Sequence, residues 1–413
     1  MDAELITIGD EIITGHITDT NSAYMARQLT AIGVNVRYKT SVGDSLVDME
    51  EAFRLALKRS SLVIATGGLG PTDDDITKRA IVKVFKRNLI FHEDVLEEIK
   101  ARYVKRGIQM PGINQNQALL PQGAKFFPNK HGSAVGICIA EQGRIFISLP
   151  GVPREMQQIL TDEVIPYVKS LKTNRHTHVV NLHTTGIIEA KSAELITPGL
   201  RLEAGVKLAY LPSYSGVHLR IIVISDNKSE AEEKARALVA HLESVCGKYI
   251  YGRENDTLEG IVGQLLIDND KTLSVAESCT GGQLGMLVTS VPGSSSYFLG
   301  GVIAYANDVK IDKLKVPADI IETHGAVSEE CAIAMAQGCR KMFGSSYALS
   351  VTGIAGPDGG TEEKPVGTVY MGLASAHAAR ARKFIFGSDR EVNRTRAVYA
   401  AIEMLRREIL DIE

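Results

Sequence analysis

The chain has 413 residues, enough for two or three domains. A formal charge of −3 and a 44% hydrophobic content describe ordinary globular protein and exclude a strong field for nucleic acid. No apolar run reaches membrane-spanning length. Strand-like sequence from Ala3 to Ile8 leaves no signal peptide to expect. The 5 cysteines are scattered without a CxxC pair, which points to reduced cytosolic thiols and away from structural zinc. A cytoplasmic location is therefore expected.

The N-terminal half alternates strands with helices. Glu4 to Ile8 is a buried strand ending in Gly9-Asp10-Glu11. A helix begins near Thr20-Asn21, carries Ala23, Ala26, Leu29 and Ile32 on one face, and stops at Gly33. Val34 to Val42 is a strand ending at Gly43-Asp44, Met49 to Lys58 a helix, and Ser61 to Thr66 a buried strand. The pattern predicts an α/β fold with a doubly wound parallel sheet.

The third strand runs into Gly67-Gly68-Leu69-Gly70, then Asp73, Asp74 and Asp75. Glycines let phosphate oxygens approach the backbone, and the carboxylates suit a hard divalent ion. Neither a Walker loop nor a dinucleotide fingerprint is present. Asp10, Asp44 and Asp75 all follow strand C-terminal ends, where such sheets bind ligands; the alternative is that they only cap helices. Residues 107–134 read as loop. A strand from Arg144 to Leu149 leads to a rigid Pro150-Gly-Val-Pro turn that aims Arg154 and Glu155 at the following helix.

From about 171 the pattern becomes a small α+β module. Strands are expected at 178–185, 206–210 and 217–225, a short helix at 191–200 and an amphipathic helix at 229–245. KH-type RNA binders show a similar pattern, but their Gly-x-x-Gly loop is missing. The module reads as a spacer or dimerisation unit ahead of a nucleic-acid binder. A linker is expected near Gly252 to Thr257.

In the last part, Thr272 to Val288 reads as strand, tight turn and helix. It puts Ser278, Cys279 and Thr280 at a helix start, where free N–H groups can hold an oxyanion. Ser278 is a candidate nucleophile; the alternative is that Ser278 or Thr280 is an N-cap. Downstream, a strand delivers Tyr305, Asn307 and Lys310. A desolvated lysine can activate a serine, although Asp308 and Asp312 could oppose the pKa shift; the alternative is a surface lysine. Thr352 and Gly353 end a strand that opens a long Gly/Pro loop, which is functional or disordered. Ser388 and Glu391 have capping-box spacing. Arg390 and Arg394 share a helix face and can clamp a phosphate, or are simply solvated.

These motifs carry a resemblance. Gly9-Asp-Glu, Thr66-Gly-Gly-Leu-Gly-Pro-Thr-x-Asp-Asp and Pro150-Gly-Val-Pro-Arg-Glu-Met resemble the N-terminal domain of the CinA family (competence/damage-inducible protein A). That domain is similar to molybdopterin-binding domains of the MoaB/MogA type, whose functional aspartate falls on Asp75 and whose acidic residue after the second strand falls on Asp44. The resemblance implies ADP-ribose pyrophosphatase activity with a divalent metal (Mg, Mn or Co), or a non-catalytic pterin- or nucleotide-binding module in a competence-related adaptor. Asp10, Asp73, Asp74 and Asp75 are the expected metal ligands, and Gly67, Gly68, Gly70 and Asp44 the expected substrate contacts. The middle segment resembles the family's KH-like insert.

From about 258, Ala276-Glu-Ser-Cys-Thr-Gly-Gly, Tyr305-x-Asn-x-x-Lys310, His324-Gly-Ala-Val-Ser and Gly353-Ile-Ala-Gly-Pro-Asp-Gly-Gly resemble a nicotinamide-nucleotide amidase domain. The resemblance implies hydrolysis of nicotinamide mononucleotide to nicotinate mononucleotide and ammonia, without a cofactor. Ser278 and Lys310 are the implied catalytic pair, with Tyr305 nearby. Thr280, Gly281, Asn307, Thr352, Gly353, Arg390 and Arg394 are the expected substrate contacts. Expected domains are 1–170, 171–252 and 258–413. The expected partners are small nucleotides and a second copy of the chain in a homodimer, not a membrane or nucleic acid.

Overall fold

A computed structural model describes residues 1–72, 74–105, 107–171 and 176–412. The chain forms two compact units: residues 1–178 with 224–232, and residues 179–223 with 233–413. No described helix is long and apolar enough to cross a membrane.

Unit 1 begins with β1 (Asp2–Ile8), a short α1 (Asp10–Ile13), α2 (Thr20–Ala31), β2 (Asn35–Val42), α3 (Leu46–Arg59) and β3 (Leu62–Thr66). It continues with α4 (Thr77–Val84), β4 (Leu89–Phe91), α5 (Glu93–Lys105), β5 (Leu119–Pro121), β6 (Lys125–Phe127), β7 (Gly136–Glu141) and β8 (Arg144–Leu149). α6 (Pro153–Ile159) passes through a π-helical turn into α7 (Ile165–Ser170). Sheet order is β2-β1-β3-β8-β7-β6. The first four strands are parallel, and β7 and β6 are antiparallel additions, so the sheet is mixed at that edge.

Both faces of the sheet are covered. Leu5 and Ile64 meet Met25 and Leu29 of α2 and Met156 of α6 on one side. Ile6 and Val63 meet Met49 and Phe53 of α3 and Ile81 of α4 on the other. Successive strand residues pointing to opposite layers is the period-two rule of a pleat, and near-continuous apolar strands are its signature in a doubly covered sheet. Asp19 and Ser45 cap α2 and α3 by accepting from Ser22 and Asp48 N–H groups. Residues 107–134 carry a 3₁₀ helix (Gly112–Ala118) and strands β5 and β6, which corrects the loop reading. β5 and β6 are three residues each, too short for periodicity to register.

Unit 2 contains most of the small α+β module. Its elements are β9 (His176–Thr184), α8 (Glu189–Ile196), β10 (Val206–Pro212), β11 (Val217–Ser225), α9 (Lys228–Cys246) and β12 (Ile250–Arg253). The sheet order is β10-β11-β9-β12. The expected linker near 252 thus begins inside a strand: β12 pairs with β9, Gly252 opposite His183. Nothing local marks a four-residue edge strand whose partner lies about seventy residues upstream.

The remainder of unit 2 comprises α10 (Leu258–Asp268), β13 (Leu273–Glu277), α11 (Gln283–Thr289), β14 (Phe298–Ile303), α12 (Asn307–Asp312), α13 (Ala318–His324) and α14 (Glu329–Phe343). β15 (Tyr347–Gly353), β16 (Thr368–Ala374), β17 (Ala379–Ile385) and α15 (Arg390–Leu410) complete it. Sheet order is β14-β13-β15-β16-β17, with β13 parallel to both neighbours and β16 and β17 antiparallel. Val275, Leu349 and Val351 pack against α10 and α15 through Val262, Leu266, Ala397 and Ala401. Ala276 and Ala348 pack on the opposite face against Cys331, Met335 and Cys339 of α14. The parallel strands β13, β14 and β15 therefore end on one edge, where the Ser278 turn, Tyr305 and the loop after Gly353 emerge.

Candidate active sites

In unit 1 the Gly-rich loop is pinned from both sides. Gly67 and Gly68 have φ of 117° and 61°. A Cβ on Gly67 would strike the Ile8 carbonyl, and one on Gly68 the Thr77 hydroxyl. Only glycine fits at either position. The Thr77 hydroxyl donates to the Gly67 carbonyl (3.0 Å) and the Thr66 hydroxyl to the Pro150 carbonyl (2.7 Å). Asn21 Nδ2 donates to the Gly151 carbonyl at 2.7 Å. The loops after β1, β3 and β8 thus form one rigid rim.

Asp10 and Asp44 lie together on that rim. The Asp10 N–H donates to Asp44 Oδ2 and the Asp44 N–H to Asp10 Oδ1, each at 3.0 Å. Partial burial raises the Asp44 pKa, and the charges of Asp10, Glu11 and Asp74 push the same way. Asp75 turns toward Thr72, whose N–H and hydroxyl donate to Oδ2 at 3.0 and 2.5 Å. Thr72 also holds the Asp74 carboxyl below its ordinary value. None of Asp10, Asp44 and Asp75 caps a helix: α1 and α4 have no side-chain cap, and Ser45 caps α3. Among the described residues no three His, Cys, Asp or Glu side chains are preassembled as metal ligands. Of the four expected aspartates, Asp75 is drawn to Thr72 and Asp73 lies outside the described residues. What stands ready is the Asp10–Asp44 pair, with Asp74 in electrostatic range.

Arg154 is exposed, whereas Glu155 accepts from Asn129 Nδ2 (2.6 Å) and braces the loop before β7. Sequence reasoning passed over Lys78. It is buried, its Nζ donates to the Asn116 carbonyl at 2.8 Å, and burial lowers its pKa to about 8 against the opposing charge of Asp75. A lysine three places after Asp75 was the available signal.

In unit 2, β13 ends at Glu277 and the chain turns through Ser278 to Gly282 before α11 starts at Gln283. Neither Ser278 nor Thr280 is a cap, because Glu277 takes that role. Its Oε2 accepts the Gly282 and Leu284 N–H groups at 3.0 Å each, and its Oε1 accepts that of Gly285 at 2.8 Å. An acidic residue just upstream of a glycine turn was the sequence signal for this. The Ser278 N–H donates to the Val351 carbonyl (2.9 Å), tying the turn to β15. The Gly281 N–H donates to the Ser278 carbonyl at 3.1 Å, so it is committed within the turn. The N–H groups of Cys279 and Thr280 have no such acceptor among the described residues. Thr280 is fully buried and its hydroxyl is unpartnered.

Lys310 is not a surface lysine. It is 1% exposed, and its Nζ donates to the carbonyls of Ala304 (2.9 Å) and Tyr305 (3.1 Å). Burial lowers its pKa below the ordinary lysine value. The groups that oppose this are Cys331 and Cys279 rather than the aspartates suggested by sequence. Lys310 therefore sits within electrostatic range of the Ser278 turn, while no hydrogen bond joins it to the Ser278 hydroxyl among the described residues. The Cys279 thiol is pushed up to about 12 by burial, with Glu277 adding to the shift. A thiolate is thus disfavoured beside a serine that needs only a base. All five cysteines are free and buried.

Arg394 Nη2 donates to the Thr280 carbonyl at 2.7 Å, and Arg390 Nη1 to the Gly356 carbonyl at 2.7 Å. The two arginines line a cavity of about 510 Å³ with Gly281, Gly282, Gln283, Met286 and Glu391. Asp389, not Ser388, caps α15, accepting from the Val392 N–H at 2.9 Å. The loop after β15 is ordered by buried Asn393, whose Nδ2 donates to the Ala355 and Gly387 carbonyls. The Thr352 hydroxyl is spent on the Ala326 carbonyl (2.7 Å), and Asn307 is an exposed first residue of α12. Gly353 lies so close to β16 that a Cβ would meet the Thr368 carbonyl at 2.8 Å. His324 is half-exposed and pairs with Glu330. A larger cavity of about 660 Å³, near the β10–β11 hairpin, β17 and α15, contains none of the expected site residues.

The architecture defines a three-part α/β protein. Residues 4–170 match the probable molybdopterin binding domain, 180–252 the damage-inducible protein CinA KH domain and 255–409 the CinA C-terminal domain. The chain is 42% identical over 414 residues to a CinA-like protein of Cytophaga hutchinsonii, covering 100% of this chain and 99% of that one. A putative competence-damage inducible protein of Caldicellulosiruptor saccharolyticus is 39% identical over 411 residues, covering 100% of both. The crystal structure of the CinA protein of Thermoplasma acidophilum matches 40% of this chain and 97% of its own, at 37% identity and a TM-score of 0.37. The protein belongs to the CinA family.

Proposed function

We propose that unit 2 hydrolyses the carboxamide of nicotinamide mononucleotide, giving nicotinate mononucleotide and ammonia. The observation that carries this reading is Lys310, buried and biased toward its neutral form beside the Ser278 turn, with Arg390 and Arg394 on the far side of that turn. An amide is a weak electrophile, so the hydroxyl needs a base and the oxyanion needs donors. Ser278 Oγ attacks the carboxamide carbon and Lys310 takes its proton. The Cys279 and Thr280 N–H groups receive the oxyanion. Lys310 returns the proton to the departing nitrogen, leaving an ester on Ser278 that water cleaves by the same base. Arg390 and Arg394 hold the phosphate, which favours the nucleotide over free nicotinamide. Ammonia release from nicotinamide mononucleotide by the full chain tests the reading, and normal release by folded Ser278→Ala would overturn the serine mechanism.

For unit 1 the favoured reading is hydrolysis of a nucleoside diphosphate sugar of the ADP-ribose class. Its support is the crowding of Asp10, Glu11 and Asp74 around Asp44, which a cation arriving with a pyrophosphate would relieve. A divalent ion held by Asp10 and Asp44 would neutralise phosphate charge and lower the pKa of water. The rim glycines let the phosphates approach the backbone. Release of AMP from ADP-ribose, with and without chelator, tests this; tight binding without turnover would instead make unit 1 a nucleotide- or pterin-binding module.

A further inference from the structure

Arg390 holds two neighbours at once. Nη1 donates to the Gly356 carbonyl at 2.7 Å, and Nη2 donates to the Tyr305 hydroxyl at 3.3 Å. Tyr305 is peculiar in its two halves. Its carbonyl, with that of Ala304, receives the buried Lys310 ammonium. Its ring is 60% exposed, and Arg390 is the one hydrogen-bond partner of its hydroxyl among the described residues. One residue therefore joins the base to the arginine beside the 510 Å³ cavity, with its carbonyl held by Lys310 and its ring exposed.

A phosphate entering that cavity competes for the same guanidinium. A phosphate oxygen carries charge and a phenol does not, so the phosphate is the stronger acceptor by about twofold in hydrogen-bond strength. We propose that the substrate's phosphate switches Tyr305: by drawing Arg390 Nη2 away it frees the tyrosine hydroxyl to turn toward the carboxamide at Ser278. This rests on the amidase reading of unit 2. Tyr305 then donates to the reacting amide only when phosphate is bound, so remote binding energy is converted into rate. The device explains selectivity that two surface arginines alone would not give. Anchoring by phosphate would lower KM, whereas a released catalytic group raises kcat. Glu391 lines the same cavity.

The test separates binding from turnover in the full-length protein. Ribose 5-phosphate is the probe, titrated by calorimetry into wild type, Tyr305→Phe and Arg390→Ala. Tyr305→Phe removes the competing acceptor, so it should bind ribose 5-phosphate tighter by roughly three- to tenfold, the worth of one hydrogen bond. Its ammonia release from nicotinamide mononucleotide should fall on the order of 10²-fold. Arg390→Ala should weaken binding. In a second arm, ribose 5-phosphate added in trans should accelerate wild-type deamidation of free nicotinamide, with no acceleration in either variant. Equal or weaker ribose 5-phosphate binding by Tyr305→Phe overturns the switch, as does absence of acceleration in wild type. The tyrosine ring is exposed, so its loss of a hydroxyl does not threaten folding. If wild type releases no ammonia from nicotinamide mononucleotide, the amidase reading fails, while the binding arm still decides whether Arg390 is contested between Tyr305 and phosphate.

Discussion

The two units build their sites from opposite materials. Unit 1 presents carboxylates on loops, largely open to solvent, with Asp10 and Asp44 locked to each other's backbone. Unit 2 presents a serine that is 9% exposed and a lysine that is 1% exposed, on a turn secured by β15 and by Glu277. The first arrangement is completed by what arrives with the substrate. The second is assembled in advance, and burial disfavours the lysine's charge, as the proposed base requires. Rim sites tolerate local change but depend on added charge; buried sites need no additive but fail when one member is lost.

The largest expected effect comes from breaking the buried side. Ser278→Ala and Lys310→Ala should each lower ammonia release on the order of 10³-fold or more, with no further loss in the double variant. ADP-ribose cleavage by the same variants should stay at the wild-type rate. Near-additive losses in the double variant would show that the two residues do not act in one step. On the rim side, Asp75→Asn replaces the charged acceptor of two Thr72 donors by a neutral amide and should cost about 10-fold in AMP release by loosening the loop. Deamidation should be untouched, and an equal fall in both activities would mean that the units are not independent.

A third expectation concerns what secures the buried site. Asn393→Ala strands the Ala355 and Gly387 carbonyls and the Gly387 N–H, and should destabilise unit 2 by about 2–4 kcal/mol in denaturant unfolding. Unit 1 should unfold at its usual midpoint. The smallest effect is in pH. Lys310 must lose its proton to act, so deamidation should rise with pH through a value below the ordinary lysine range and plateau above it. Asp44 must be ionised, so unit 1 should lose activity on acidification at a pH above that of an ordinary aspartate. Asp10→Asn should lower unit 1 activity by removing an ion ligand and move its residual acid transition downward by about one pH unit or less. A matching shift in the deamidation profile would contradict the separate origins of the two.

Much of this was legible from sequence. Alternating buried strands and amphipathic helices gave the α/β architecture, because both periods are local. Strand ends followed by Gly and Asp located Asp10, Asp44 and the Gly67 loop. The Ser278 turn was visible as a strand running into glycines. The parts that failed depend on partners distant in sequence. The Thr352 hydroxyl donates to the Ala326 carbonyl, and Asn393, which no sequence motif singled out, fastens the loop before β16. Glu277 escaped notice because its three acceptor bonds run to residues five to eight positions downstream, beyond any capping-box pattern. Lys310 could be named but not protonated or deprotonated from sequence, since its state depends on burial that only the fold creates. The short strands β5, β6 and β12 carry too few residues to leave a periodic trace.

Helix α15 runs 21 residues, or about 32 Å at the usual rise. Arg390 and Arg394 stand at its first turns. At its other end Arg406 Nη2 donates to the Ile250 carbonyl at 2.9 Å, and Arg406 and Arg407 grip the buried Glu403 carboxylate. One stiff rod is thus clamped to the KH-like module at its base and carries Arg390 and Arg394 at its tip. A displacement at the base is therefore carried the length of the rod to the helix start, where Arg390 and Arg394 hold the carbonyls of Gly356 and Thr280.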